Sequence, residues 1–281
     1  MTWRIAIVHT TVHRYAQQVH SSYNEARIVP LTLERQLCLE ARVEIEPGAR
    51  PYQYWDYWGT VVNAFDLHTP HAELIVRGRS VVETATPSAP GPGLSWALLA
   101  GSAVCDRFSE LLAATAYVPS VDDELRGVTE SLRSRPTPGD AAWAAAGWVR
   151  DRLVYEPGVT DVDTSAAGAL AKGRGVCQDF AHLTLALLRT LGIPARYTSG
   201  YLHPNPDGVV GQTVQGQGHA WVEWWTGDWV AWDPTHGVPV GERHVVVGRG
   251  RDYADVPPLK GIYEGSPAVA HDVTVELTRT G

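Results

Sequence analysis

The chain has 281 residues, with 23 lysines and arginines against 31 aspartates and glutamates, a net charge of −8 and a pI near 5.7. That balance argues against nucleic acid or an anionic membrane as partner, and no run reaches the roughly 18 apolar residues of a membrane span. Three cysteines, Cys38, Cys105 and Cys177, are too few and too scattered for a disulfide framework or a zinc ribbon, and residues 1–8 are too short an apolar run for a secretion signal, so the expectation is a protein of a reducing cytoplasm.

In chain order, residues 3 to about 85 read as short strands over 4–11, 26–33, 38–46, 61–67 and 72–83, with turn signals at Glu46-Pro47-Gly48, Trp58-Gly59 and Arg77-Gly78. Strands without a clear helix predict an antiparallel β-sandwich over residues 1–86. Its aromatic stretch, Tyr52, Tyr54, Trp55, Tyr57 and Trp58, reads either as packing or as a wall of a substrate cleft. Residues 87–93, Pro-Ser-Ala-Pro-Gly-Pro-Gly, resist helix and strand alike and read as a linker. Residues 94–281 then make a second domain. It opens with helical runs over 94–116, broken near Gly101, then 121–133 and 139–153, the last capped at Asp140. A loop over 155–164 and a short helix over 165–172 follow. Strands are expected at 195–202, 244–248 and 269–277. The Gly-, Pro- and Asn-rich segment 203–217 reads either as a cleft-shaping loop or as a solvated hairpin loop.

Residues 177–191 carry apolar side chains nearly all round a helix, so that helix is buried. Gly192 and Pro194 end it. Gly173 and Gly175 let the chain turn sharply beforehand, which places Cys177 in the first turn, where unpaired N–H groups and the helix dipole favour a thiolate. Asp179 complements the same helix end. Most free cysteines are small buried hydrophobes, and Cys38 and Cys105 read that way. What separates Cys177 from them lies downstream.

Residues 218–225 and 229–234 are two aromatic, β-branched runs separated by Thr226-Gly227-Asp228, which reads as a hairpin. With Trp225 opposite Trp229, Trp221 falls opposite Asp233 and His219 becomes the diagonal neighbour of Asp233 on the same face. Thiolate, imidazole and orienting carboxylate are thereby available from Cys177, His219 and Asp233. A zinc site from His203, His219 and His236 lacks any supporting ligand spacing, and no acidic cluster has the form of a calcium loop. His182 reads as a packed core histidine. No cofactor and no metal are expected.

The segments GVCQDFAHLTLALLRTLGIPARYTSGYL, GHAWVEWW and WVAWDPTHG resemble the three catalytic blocks of the transglutaminase-like superfamily, whose core is similar to papain-like thiol proteases. Arg14-Tyr15, residues 56–63 and residues 250–258 resemble its bacterial members with an added N-terminal β domain. The resemblance implies an α+β protein with an N-terminal antiparallel β-sandwich and a papain-like catalytic core. It implies Cys177 as nucleophile, His219 as general base and acid, and Asp233 as the residue orienting His219. The implied activity is a cysteine peptidase or amidase acting through a thioester on a protein or peptide substrate. A protein-glutamine transglutaminase and a non-catalytic protein-binding module are the alternatives. The first oxyanion donor is expected at the Cys177 main-chain N–H, and the second from the segment before Cys177, from Trp143 or from Tyr155. Oligomeric state is not legible in the residues.

Overall fold

The computed structural model describes residues 2–87, 89–121 and 125–281. Along residues 2–11 buried and exposed side chains alternate, the period of a strand with one face covered, and the strand runs on well past the expected stop at residue 11 to form β1 (Thr2–Ala26). It reaches that length by changing partners. Its first half lies between β5 (His71–Ala85) and β14 (Ala268–Arg279), both ladders slip after Arg14, and its second half lies between β4 (Val61–Leu67) and β13 (Leu259–Gly265). A slip of this kind bends a strand and re-aims it. β2 (Gln36–Glu46) pairs with β5, and β3 (Tyr52–Trp55) forms an edge on β4.

The strand expected over residues 26–33 is irregular beyond Ala26. Its main-chain donors are spent singly on distant carbonyls, Arg27 on Pro258 and Leu31 on Val246, and Pro30 has none to give. Instead of a sandwich confined to residues 1–86, the strands of that region join β8 (Ala195–Leu202), β9 (Thr213–Trp225), β10 (Trp229–Asp233), β11 (Val238–Pro239), β12 (His244–Gly250), β13 and β14 in one antiparallel network of twelve strands. Pairing therefore crosses the division expected at residues 87–93. β14 returns the C-terminal end of the chain to β1 while its other edge takes residues 213–216 of β9. Those residues, read from sequence as loop, are strand because that edge is there to receive them.

Most of the helices contribute to one hydrophobic core. Residues 94–116 break at Gly101, as the sequence suggests, into α1 (Trp96–Leu99), α2 (Ser102–Arg107) and α3 (Ser109–Leu112). Of the run expected over 121–133, residues 122–124 lie outside the described residues, and α4 (Arg126–Arg133) follows them. α5 (Pro138–Arg152) starts earlier than Asp140: Thr137 accepts the Asp140 N–H on its hydroxyl, and Pro138 occupies the first helical position, where its missing donor costs nothing. Between α5 and the central helix, two residues of β6 (Val154–Tyr155) pair with β7 (Arg174–Gly175) in parallel around α6 (Ala166–Lys172). Among the described residues, no helix is long and apolar enough to cross a membrane.

The central helix is α7 (Cys177–Thr190), packed on β8 and β9 on one side and on α5 and α6 on the other. Phe180, Leu183, Leu185 and Leu187 of α7 share a core with Tyr197, Val222 and Trp224 of the sheet. Burial on all sides is what its nearly continuous apolar circumference requires. A second core, with Trp3, Ile5 and Ile7 of β1 against Tyr201, Val245 and Leu277, fastens the N-terminal strands to the sheet that carries β8 and β12. The aromatic stretch near residue 55 is in neither core: Tyr52, Trp55 and Tyr57 are 71%, 70% and 78% exposed, and none of them lines the cavity at Cys177.

The N-terminus of α7 is held by a tight contact. Asp179 accepts the Val176 N–H and the Thr160 hydroxyl on Oδ2, at 2.8 and 2.7 Å, and a Cβ on Gly175 would lie 2.7 Å from both Cβ and Cγ of Asp179. Gly175→Ala is therefore expected to cost about 1–3 kcal/mol in urea denaturation. The same substitution should cost much less in an Asp179→Gly background, where the colliding atoms are gone. An equal cost in both backgrounds would refute this account.

Candidate active site

The hairpin closes in the expected register, with Trp225 opposite Trp229 and Val222 opposite Trp232. Asp233 ends β10 with no solvent exposure. His219 stands on β9 opposite Gly200 of β8, and its Nε2 donates to Asp233 Oδ2 at 2.7 Å. With Nε2 committed to Asp233, Nδ1 is the ring nitrogen left free for another partner, and Cys177 lines the same cavity as His219. Gly200 has to be glycine, because a Cβ there would run into the Val245 carbonyl oxygen and the Trp221 ring. A larger residue would push β8 and the His219 strand off β12.

Burial opposes a charge on the His219 ring, but the hydrogen bond to Asp233 and the nearness of Cys177 outweigh that cost and raise its pKa from 6.5 to about 10. Burial likewise works against the Asp233 charge, and the imidazoles bonded to it hold its carboxyl far below the usual carboxylate range.

Two of those imidazoles were not singled out as partners of Asp233 from sequence. His236 Nδ1 donates to the same oxygen, Oδ2, at 2.7 Å, and His244 Nε2 approaches it at 3.4 Å. His244 has a defined tautomer: its Nδ1 accepts the Gly241 N–H at 3.2 Å, so the proton sits on Nε2. Asp233 Oδ1 accepts the N–H groups of Thr235 and His236 at 3.0 and 3.2 Å. That turn swings the side chain of residue 236 back over the carboxylate. An Asp followed three residues later by His at the end of a strand was the available signal for His236. For His244, on a separate strand, there was none.

His219, Asp233 and His236 bring their ligand atoms within 4.8 Å of one another, with Asp233 Oδ2 accepting from both rings. His203, the other member of the zinc set weighed from sequence, is elsewhere, bonded to the Asn205 carbonyl and edge-on to Trp3. His182 is fully buried, accepts the Tyr253 N–H on Nε2 at 3.2 Å and packs against Tyr117 and Tyr197. Desolvation lowers its pKa to about 3, so it is a neutral packing group.

Cys177, partly exposed, opens with His219 onto a cavity of about 190 Å³ whose wall also includes Gln178, Tyr253, His9 and Arg27. The last two belong to the N-terminal region. Of the side chains considered as second oxyanion donor, Trp143 packs edge-on to Trp224 and Trp232 and lines a different cavity. Tyr155 lies beside Gly175 in the β6–β7 pair, within electrostatic reach of Cys177. Cys38 and Cys105 donate weakly to the main-chain carbonyls of Glu40 and Ala100 and do not line this cavity.

Residues 126–234 match the transglutaminase-like superfamily, and residues 5–83 match the bacterial transglutaminase-like N-terminal region. Over 277 residues the chain is 50% identical to an uncharacterized protein of Mycobacterium leprae, covering 99% of each. A candidate cysteine protease from Cytophaga hutchinsonii shares the fold with a TM-score of 0.76 at 21% identity, over 100% of this chain and 93% of that one. A protein-glutamine gamma-glutamyltransferase of Pseudomonas aeruginosa is 31% identical over 160 residues, which are 50% of this chain and 23% of that relative.

Because the folded pKa of His219 lies above its ordinary value, the stabilisation from its charged form is complete below pH 6.5 and is lost as pH rises through about 10. Ring-nitrogen NMR should show His219 doubly protonated up to that range. In Asp233→Asn, where burial is no longer offset by the carboxylate, its titration should fall by several units. A His219 that titrates near 6.5 in both proteins would contradict the geometry.

Proposed function

The chain belongs to the transglutaminase-like superfamily, and we propose that it is a thiol enzyme that cleaves or transfers peptide and carboxamide acyl groups through a thioester on Cys177, with hydrolysis as the principal outcome. The observation that carries this reading is the placement of His219, whose Nε2 is held by the buried Asp233 while the ring shares a cavity wall with Cys177. A ring fixed in that way can stabilise a thiolate at Cys177 and hold a proton at Nδ1 for the departing amine.

In the proposed reaction the Cys177 sulfur attacks the amide carbonyl, and the carbonyl oxygen takes the negative charge at the N-terminus of α7, where main-chain N–H groups point outward. Collapse of that intermediate breaks the C–N bond. The proton on His219 Nδ1 goes to the leaving amine, and the acyl group remains on sulfur. Water then gives up a proton to His219 and attacks the thioester, which releases the acid and restores the thiol pair. An amine in place of water gives transamidation. That second outcome is favoured by the relationship to the Pseudomonas gamma-glutamyltransferase, and hydrolysis by the partial exposure of Cys177, which leaves water with access.

Iodoacetamide alkylation read by peptide mass spectrometry should modify Cys177 about tenfold or more faster than Cys105 near pH 6, and His219→Ala should remove the advantage. With a glutamine-containing peptide and a labelled primary amine, the wild type should release more free acid than amine adduct, and Cys177→Ala should lose both products by about a thousandfold. A Cys177 no more reactive than Cys105 would overturn the thiol-enzyme reading. Predominant amine incorporation would replace hydrolysis with transamidation.

A further inference from the structure

Arg27 follows β1 directly and is 9% exposed, yet it forms part of the wall of the cavity onto which Cys177 and His219 open. Its guanidinium is clamped on two sides. Nε donates to Asp56 Oδ2 at 3.3 Å and Nη2 to Glu25 Oε2 at 2.9 Å, while its main-chain N–H donates to the Pro258 carbonyl at 2.8 Å. The clamps are themselves anchored: Asp56 Oδ1 accepts the N–H groups of Trp58 and Thr60, and Glu25 Oε1 accepts the Tyr54 hydroxyl. Nη1 is buried as well and donates to nothing in the protein. A buried cationic donor without an acceptor is costly, and proteins retain one where a ligand or bound water completes it.

The rest of the cavity wall does not supply that acceptor. No aspartate or glutamate is among its residues, and both ring nitrogens of His9 are taken, Nδ1 by Tyr201 and Nε2 by Thr11. Lys260 lies near Glu25, so two cations balance the two clamping carboxylates and the neighbourhood does not repel an anion. We propose that Arg27 is a specificity residue of the Cys177 site, and that its guanidinium charge in the cavity wall draws a substrate carboxylate close to the scissile carbonyl, so that the preferred acyl donor is anionic. Guanidinium and carboxylate form a charge-assisted bond, stronger than the same donor makes to a neutral carbonyl, and the cavity is small enough that a group seated at Cys177 lies in the field of Arg27. The N-terminal region thereby contributes to substrate choice as well as to packing.

The inference rests on Cys177 being the reacting thiol, and the test separates the two. Rate constants for alkylation of Cys177 by iodoacetate, an anion, and by iodoacetamide, its neutral isostere, are measured by peptide mass spectrometry in wild type, Arg27→Met and Arg27→Lys. The ratio of the two rates reads the anion preference whatever the absolute reactivity of Cys177. Arg27→Met should lower the ratio about tenfold. Arg27→Lys, which keeps a charge but cannot fill both clamps and still offer a third nitrogen, should lower it by a smaller factor. If Arg27→Met does not fold, the Lys variant decides. An unchanged ratio in a folded variant overturns the proposal, whereas a Cys177 that is slow with both reagents at an altered ratio overturns the thiol-enzyme reading and leaves the anion site standing.

Discussion

A carboxylate without solvent contact has to be paid for in hydrogen bonds, and Asp233 is such a group. One of its oxygens is bonded by the imidazoles of His219 and His236 and approached by that of His244, and the other takes the two main-chain N–H groups of the following turn. The elements that meet there are β9, β10 and its turn, and β12. If any one shifts, a buried charge loses a partner, which costs far more than an exposed ion pair of the same length. The carboxylate thus fixes the orientation of the His219 ring and at the same time ties together three parts of the sheet.

The opposite wall of the site is held by packing. α7 is apolar nearly all round and is enclosed by β8, β9, α5 and α6, so its axis has little freedom. Its first turn is located by Asp179, which grips Val176 and Thr160 and fills the space that Gly175 leaves empty. Burial raises the Asp179 pKa above its ordinary value, against the hydrogen bonds from Val176 and Thr160, which favour the charged form. Cys177 inherits its position from both constraints, and the sheet inherits its position from the core that α7 presses upon.

Residues before 30 complete the cavity by a long route. β1 changes partners at its midpoint, its first half supplies His9, and the residue after its second half is Arg27. Both reach the cavity because the core of Trp3, Ile5, Ile7, Tyr201 and Val245 presses the N-terminal strands onto β8 and β12. The C-terminal strands β13 and β14 close the same arrangement by bonding to β1. Chain order and spatial neighbourhood therefore diverge: the first and last thirty residues are partners, and both lie against the middle.

Much of this was legible in the residues because it depends on local periods. The all-round apolar helix from Cys177 to its stop at Gly192, the strand 195–202, and the hairpin that puts His219 diagonal to Asp233 follow from side-chain spacing and a short turn, which involve no distant partner. Tertiary structure alone decided what depends on contacts between remote segments. The full length of β1 and the strand character of residues 213–217 require edges supplied from elsewhere in the chain. The approach of His244 to Asp233 requires β12 to lie beside β8, and the presence of Arg27 in the Cys177 cavity requires the β1 bend. A single strand or helix carries its own hydrogen-bonding period in its sequence, but the partner of a strand edge or of a buried charge is chosen only when the chain closes on itself.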